Sequence, residues 1–267
     1  MDIKTLRKIG KRLKKELLLH LDDLRGAAPL GKGAGGDTTY PIDKKAEDIV
    51  IEEAVKLKMS LTIVSEECGV RDIRGGGIKL LLDPIDGSRN ALSGIPLFST
   101  SIAIVDGDTI GGTMLGYVIN LISGDEFWAE KRGGSFLNGV KITTQKDHAF
   151  KVIAYEARTP KVDIPLIMPL ISMFGRARCF GSTALDLSFL AQGAISVFVV
   201  PSHSRSFDFA AGYLMVKEAG GSITDLTGMN IEDTRISVKR TTPLLASANE
   251  EVHKKALGIL CRQKIKN

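Results

Sequence analysis

The stretch from Ile78 to Asp83 reads as a largely apolar strand, and it runs directly into Asp83-Pro84-Ile85-Asp86-Gly87-Ser88. Two carboxylates therefore stand at a strand's carboxyl end, where α/β folds collect ligands. Pro84 fixes its own φ and biases Asp83 towards an extended backbone, while Gly87 permits a tight exit. Ser88 can cap a short helix whose free N–H groups point at an anion. Such a turn aims two carboxylates, together with the Ile85 carbonyl, at one hard cation. Taken alone, it is also an ordinary Asp/Pro/Gly turn with a helix cap.

Two further clusters add weight. Ser65-Glu66-Glu67 follows a short buried strand at Leu61 to Ser65, and Ser206-Phe207-Asp208-Phe209-Ala210-Ala211-Gly212 puts one carboxylate among apolar and small residues at a helix start. Each has a plainer reading, as an acidic helix N-terminus and as a capping Asp respectively. Together, carboxylates from three separate strand or helix ends make a donor set of oxygens, which favours Mg²⁺ over zinc. Two such ions roughly 4 Å apart can orient a water and stabilise a leaving oxygen.

The remaining sequence narrows the class. With 43% hydrophobic and 25% charged residues in 267, the chain has the usual mix of a globular protein. It carries no apolar run near the ~20 residues that span a bilayer and no signal-peptide core, so a cytoplasmic protein with no membrane contact is expected. Cys68, Cys179 and Cys261 are widely spaced without a CxxC pair and read as buried apolar fillers. A net charge of +5 fits an anionic ligand but is too diffuse to mark a nucleic-acid binder. Gly26 to Gly33 approaches a P-loop but ends in Gly33 and follows a helix pattern, and the histidines form no HExxH.

The periodicity predicts one amphipathic helix over 3–24, a mobile glycine-rich loop at 31–37, and a helix over 43–58. Strands follow at 61–65, 78–83, 98–105, 111–119 and 125–129. Beyond them, strands at 152–155, 176–180 and 195–200 are separated by helices at 164–173, 183–191 and 207–219. A strand-rich α+β part at 1–148 and an α/β part at 149–267, with no flexible linker between them, are expected to enclose a ligand cleft.

At this point the sequence resembles the magnesium-dependent, lithium-sensitive phosphomonoesterases that include inositol monophosphatase and fructose-1,6-bisphosphatase. Glu66-Glu67, DPIDGS at 83–88 with Asn90, and FDFAAG at 207–212 leading to Lys217-Glu218-Ala219-Gly220-Gly221 carry the resemblance across nearly the whole chain. VSEECGV, DGSRN and GIPLFS look most like the archaeal branch, whose members often act on both inositol phosphates and fructose bisphosphate. The resemblance implies an α/β fold, a layered αβαβα sandwich of the sugar-phosphatase type, two or three Mg²⁺ per active site, a phosphorylated small-molecule substrate and a homodimer.

It also implies roles. Glu66, Asp83, the Ile85 carbonyl, Asp86 and Asp208 match metal ligands. Asp86, Gly87 and Ser88 match the phosphate-contacting turn. Asp43, with the Ser88 hydroxyl, matches the pair that orients the attacking water, with Glu66 as an acid/base partner. The 31–39 loop matches a mobile segment that carries Lys32 and Asp37 towards a weakly held ion. Gly181 and Ser182, with Thr183, match a substrate-contacting loop. Pro201 stands where animal inositol enzymes have an acidic hydroxyl contact, so that contact is missing. Arg178 and Arg205 are instead placed to receive a second phosphate, for which a planar guanidinium suits; a surface ion pair is the plainer reading of either. His203 reads as a rim residue. Two rivals remain: a 3′-phosphoadenosine 5′-phosphate phosphatase on the same metal site, and a binding protein of RNA or the transcription machinery, as for some bacterial relatives.

Overall fold

Residues 99–105 are buried at every position, and so are 197–200, so each sheet must be covered on both faces. The computed structural model describes residues 1–264. Helices α1 (Ile3–Leu19) and α2 (Leu21–Gly26) lead to a short hairpin of β1 (Gly31–Lys32) and β2 (Thr38–Thr39), then helix α3 (Pro41–Lys56). Strands β3 (Leu61–Ser65), β4 (Gly69–Ile73) and β5 (Ile78–Asp86) precede the one-turn helix α4 (Ser88–Ser93). Strands β6 (Ser99–Val105), β7 (Thr113–Asn120), β8 (Glu126–Glu130), β9 (Gly134–Leu137) and β10 (Val140–Ile142) complete an eight-stranded sheet in the order β10-β9-β8-β7-β6-β5-β3-β4. Its neighbours are antiparallel except β3 and β5.

The second sheet is built from β11 (Ile153–Tyr155), β12 (Ala177–Arg178), β13 (Val197–Arg205), β14 (Ser222–Thr224) and β15 (Arg240–Ser247), in the order β12-β11-β13-β15-β14. Helix α5 (Pro160–Ile171) lies between β11 and β12 in sequence, α6 (Thr183–Ala191) between β12 and β13, α7 (Ser206–Ala219) between β13 and β14, and α8 (Glu250–Lys264) follows β15.

Side chains on alternate positions go to different cores. In β5, Leu80 and Leu82 pack with Leu6, Ile9, Leu13 and Leu17 of α1 and Ile42, Ala46 and Ile49 of α3. Leu81 turns the other way, to a core shared with α6 and α7. In β13, Phe198 and Val200 join that same middle core, while Val197 and Val199 pack against Ile167 and Leu170 of α5 and Val252 and Ala256 of α8. The layers therefore run helix, sheet, helix, sheet, helix, the αβαβα sandwich expected. Helix α7 is buried along nearly its whole length, including Phe207 to Val216. Its small residues let it lie close to the eight-stranded sheet: a Cβ on Gly116 of β7 would stand 2.7 Å from the Ala211 carbonyl oxygen.

Several local expectations are corrected. The first helix does not run unbroken to residue 24; it ends at Leu19, and after His20 the chain turns into α2, whose Arg25 Nε donates to the Ala91 carbonyl at 2.6 Å. The glycine-rich segment is a docked hairpin rather than a free loop: Gly35 N donates to Glu66 O at 2.8 Å and Ala34 N to Glu67 O at 3.1 Å. Its glycines allow that approach, since a Cβ on Gly35 would lie 2.8 Å from Arg205 Nη1. The cysteines are not buried fillers: Cys68 is half-buried, and Cys179 and Cys261 are exposed. Among the described residues no helix is long and apolar enough to cross a membrane.

Candidate active site

Strand β5 does not stop at Asp83. It continues through Pro84 to Asp86, and the pairing with β6 shifts on the way, Asp83 facing Ser101 and Asp86 facing Ser99. Three residues of β5 thus advance against two of β6, a bulge between Asp83 and Asp86 in a stretch where Pro84 has no N–H to give. The extra residue restores parity. Residues three apart would face opposite sides of a regular strand, but here both carboxylates face the middle helical layer, as Ser99 and Ser101 do. Gly87 then turns the chain with φ 94° into α4, in a space where its missing Cβ would stand 3.0 Å from the Gly181 carbonyl oxygen.

Four other chain ends meet this turn. Glu66 follows β3, Asp43 lies in the first turn of α3, Asp208 in the first turn of α7, and Gly181 to Thr183 begin α6. Asp86 Oδ2 accepts from Ser182 Oγ at 2.7 Å and from Ala184 N at 2.6 Å, which ties the turn to α6. Asn90 closes the same junction, donating to the carbonyls of Leu97 and Phe180. Ser88 Oγ lies 2.9 Å from Asp43 Oδ1 and 2.8 Å from the Ile85 carbonyl oxygen. The other Asp43 oxygen accepts from Tyr40 N at 2.7 Å, so the carboxylate is oriented by its own helix start. Asp208 does the same for α7, accepting from Arg205 N at 2.7 Å.

These groups line a cleft of about 540 Å³, together with Asp37, Tyr40, Glu67, Arg89, Glu156, Arg158, Thr183, His203 and Arg240. Glu66, Asp83, Ile85, Asp86, Gly87, Ser88, Gly181, Arg205 and Asp208 of the expected set all face it. Asp43 and Ser182 stand just behind and reach it through their bonds to Ser88 and Asp86.

The two arginines expected at the substrate are placed otherwise. Arg178 is exposed on the edge strand β12, outside the cleft lining, and its Nη1 donates to the neighbouring Ala177 carbonyl. Arg205 faces the cleft but is 6% exposed, with its guanidinium engaged by Glu66, Asp37 and Asp208. Lys32 is exposed in the hairpin, outside the cleft lining, whereas Asp37 meets three arginines: Arg240 at 2.8 Å, Arg205 at 3.1 Å and Arg158 at 3.3 Å. Glu156, Arg158 and Arg240 had no motif to announce them. The first two follow β11, so the rule that ligands gather at strand ends applies to them as well; Arg240 begins a strand that the periodicity does not show.

Burial and mutual repulsion shape the electrostatics. Burial first, then its neighbours Glu66, Asp86 and Asp208, push the Asp83 carboxyl well above the usual range, and its Oδ1 is buried with no hydrogen-bond partner. Burial likewise raises Asp43 to about 6, Asp86 and Glu67 to about 7, and Glu66 to about 8. Among the described residues no three carboxylates draw close enough to form a coordination sphere unaided. An orphaned buried oxygen amid mutually repelling carboxyls, with only oxygen donors present, nevertheless suits a hard divalent cation.

Each of these carboxyls binds its proton more tightly folded than unfolded, so the folded state holds more protons and stability is lost as pH rises from the ordinary carboxylate range to about 8. Thermal unfolding in EDTA should show a melting temperature several degrees lower at pH 8 than at pH 5.5, recovered at pH 8 by added Mg²⁺. A rise across that interval in EDTA would contradict the burial of these groups.

The sequence model of the inositol monophosphatase family matches residues 1–263. The chain belongs to the inositol monophosphatase family. That membership makes it a phosphatase. The chain is 31% identical to a fructose-1,6-bisphosphatase/inositol-1-monophosphatase of Methanothermobacter thermautotrophicus, over 97% of this chain and 98% of that one. It is 32% identical to a bifunctional NADP phosphatase/NAD kinase of Methanococcus maripaludis, over 85% of this chain and 43% of the longer relative. A crystal structure of an inositol monophosphatase-fructose 1,6 bisphosphatase superposes with a TM-score of 0.85 at 27% identity, covering 97% of this chain and 100% of that one.

Proposed function

We propose that the protein hydrolyses phosphomonoesters of sugars and polyols, fructose 1,6-bisphosphate and inositol 1-phosphate among them, with two or three Mg²⁺ held by Glu66, Asp83, the Ile85 carbonyl, Asp86 and Asp208. The observation that carries this reading is the Asp43–Ser88 pair beside the carboxylate cluster: a proton acceptor and a relay hydroxyl stand next to a site for cations. The family resemblance supports a homodimer as the working form, and its place is proposed to be the cytoplasm.

Ser88 Oγ has one hydrogen and two acceptors in reach. Donation to Asp43 Oδ1 leaves its lone pairs to accept from a water and hold it for in-line attack. Asp43, raised only to about 6, is mostly ionised at neutral pH and takes the proton that passes through Ser88. Gly87, Ser88 and Arg89 present the backbone N–H groups that a helix start leaves unpaired, which suits phosphate oxygens. Ser182 and Ala184 fix Asp86 so that one of its oxygens stays directed to the cluster. Bound Mg²⁺ supplies polarisation of the phosphate and charge neutralisation of the departing alkoxide. No covalent phosphoenzyme is needed.

For a bisphosphate, the second phosphate falls to Arg158 and Arg240 rather than to Arg178 and Arg205. Both line the cleft, and both face the same Asp37 carboxylate, an anion that a phosphate can replace. Phosphate release should be measured in parallel on fructose 1,6-bisphosphate and inositol 1-phosphate for wild type, Arg158→Met and Arg240→Met. Loss of a charged hydrogen bond worth about 1.5–3 kcal/mol should raise KM for the bisphosphate by at least tenfold. The monophosphate should change less than about threefold on the same reasoning. Equal losses on both substrates would sink this assignment. The same plate should carry NADP and 3′-phosphoadenosine 5′-phosphate, because the relative named a bifunctional NADP phosphatase/NAD kinase is 32% identical over 85% of this chain; preference for either would move the substrate class to nucleotides. A protein silent on all four substrates that bound RNA or polymerase with Asp86→Asn unchanged in affinity would be a binding protein instead.

A further inference from the structure

Glu66 and Asp208 face a cation that the chain itself provides. Arg205 Nη1 lies 2.6 Å from Glu66 Oε1, and Arg205 Nε lies 3.2 Å from Asp208 Oδ1. Among the described residues no other basic side chain comes within ion-pair distance of Glu66, Asp83, Asp86 or Asp208. The same Nη1 also lies 3.1 Å from Asp37 Oδ2. Asp37 belongs to the β1–β2 hairpin, so a single nitrogen is shared between the acidic cluster and an outside carboxylate.

Its surroundings hold the arginine there. Its backbone N is fixed by the Asp208 side chain in the α7 cap, its guanidinium carbon lies 5.0 Å from the centre of the Phe207 ring, and Gly35 leaves room for Nη1 where any Cβ would intrude. We infer that Arg205 is a resident counter-cation of the acidic cluster, which competes with divalent ions for Glu66 and Asp208 and passes to Asp37 when those ions bind. This rests on the metal reading of the site. The physical basis is that carboxylate oxygens bonded to a guanidinium must be released before they can ligate a metal, and that a buried positive charge beside the cluster repels a second one. Arg205 therefore stabilises the cluster when no ion is there and weakens ion binding. Asp37 has the opposite effect, because it offers the guanidinium somewhere else to go.

The test uses the full chain and Mg²⁺ alone, by isothermal titration calorimetry, with thermal unfolding in EDTA alongside. Arg205→Met should bind Mg²⁺ at least tenfold more tightly than wild type while melting at a lower temperature in EDTA. Arg205→Lys, which keeps the charge without the planar fork, should fall between them and serves if the Met variant does not fold. Asp37→Asn should weaken Mg²⁺ binding in the wild-type background and have little effect in Arg205→Met, since its influence acts through the arginine. Mg²⁺ binding by wild type with an affinity unchanged or weakened in both arginine variants would overturn the inference and leave the metal site standing. No Mg²⁺ binding by any form would overturn the metal reading and this inference together.

Discussion

Replacing Asp43 with Asn should lower kcat by about 10²- to 10³-fold while KM stays within about threefold. The substitution is nearly isosteric, and the amide oxygen can still accept from Tyr40 N, so the start of α3 survives. What is lost is the acceptor for the Ser88 hydroxyl at 2.9 Å, since an amide nitrogen placed there donates rather than accepts. Ser88→Ala should show a drop of similar size, and the double variant should be little worse than either single one, because the two side chains act as a unit. Steady-state kinetics with saturating Mg²⁺ decide the matter. A kcat within threefold of wild type for Asp43→Asn would remove this carboxylate from the chemistry and return it to helix capping.

Gly116→Val should destabilise the protein by at least about 3 kcal/mol, at the upper end of what overpacking usually costs. The reason lies in the backbone of α7: the added Cβ would meet the Ala211 carbonyl oxygen at 2.7 Å and the Ala211 Cα at 2.9 Å, neither of which can rotate away. For a chain of this length the expected fall in melting temperature is about 6–12 °C. Because α7 carries Asp208 in its first turn, the shift should also reduce Mg²⁺-dependent protection against unfolding. A melting temperature within 2 °C of wild type, a change of roughly half a kcal/mol, would mean that α7 and β7 tolerate separation.

What could be read in advance was local. Glu66, the Asp83 to Ser88 turn, and Asp208 are each a strand end or a helix start, recognisable from a few consecutive residues. The layered sandwich was legible for a similar reason, since a family's motifs recur in order along its whole chain. That Asp83 and Asp86 converge was expected of the turn, but the means was not: an offset of three in a regular strand places side chains on opposite faces, and a bulge between the two residues brings them together. Nor could the fate of the arginines be read. Arg205 is engaged by Asp208 three residues on and by Glu66 and Asp37 from distant segments, and Arg158 and Arg240 meet through Asp37, contacts that exist once the hairpin docks. The hairpin itself was hidden by its glycines, which look like freedom in a sequence and here permit close approach to Glu66 and Glu67. Strand β15 contains Pro243 and only a brief apolar stretch, which hides its period, whereas α8 carries Val252, Ala256 and Leu260 at four-residue spacing, a helical signal that was available in the sequence.

The carboxylates around the β5 turn are proposed to hold Mg²⁺ for phosphomonoester hydrolysis, and that role can be measured. It is tested most directly by phosphate release from fructose 1,6-bisphosphate and inositol 1-phosphate, in Mg²⁺ and in EDTA, for wild type and Asp86→Asn. Release is expected from at least one substrate in Mg²⁺, none in EDTA, and a fall of at least about 10³-fold in the variant, the scale expected when a metal's charge is lost from the transition state. Activity that persisted in EDTA, or an Asp86→Asn variant as active as wild type, would contradict it.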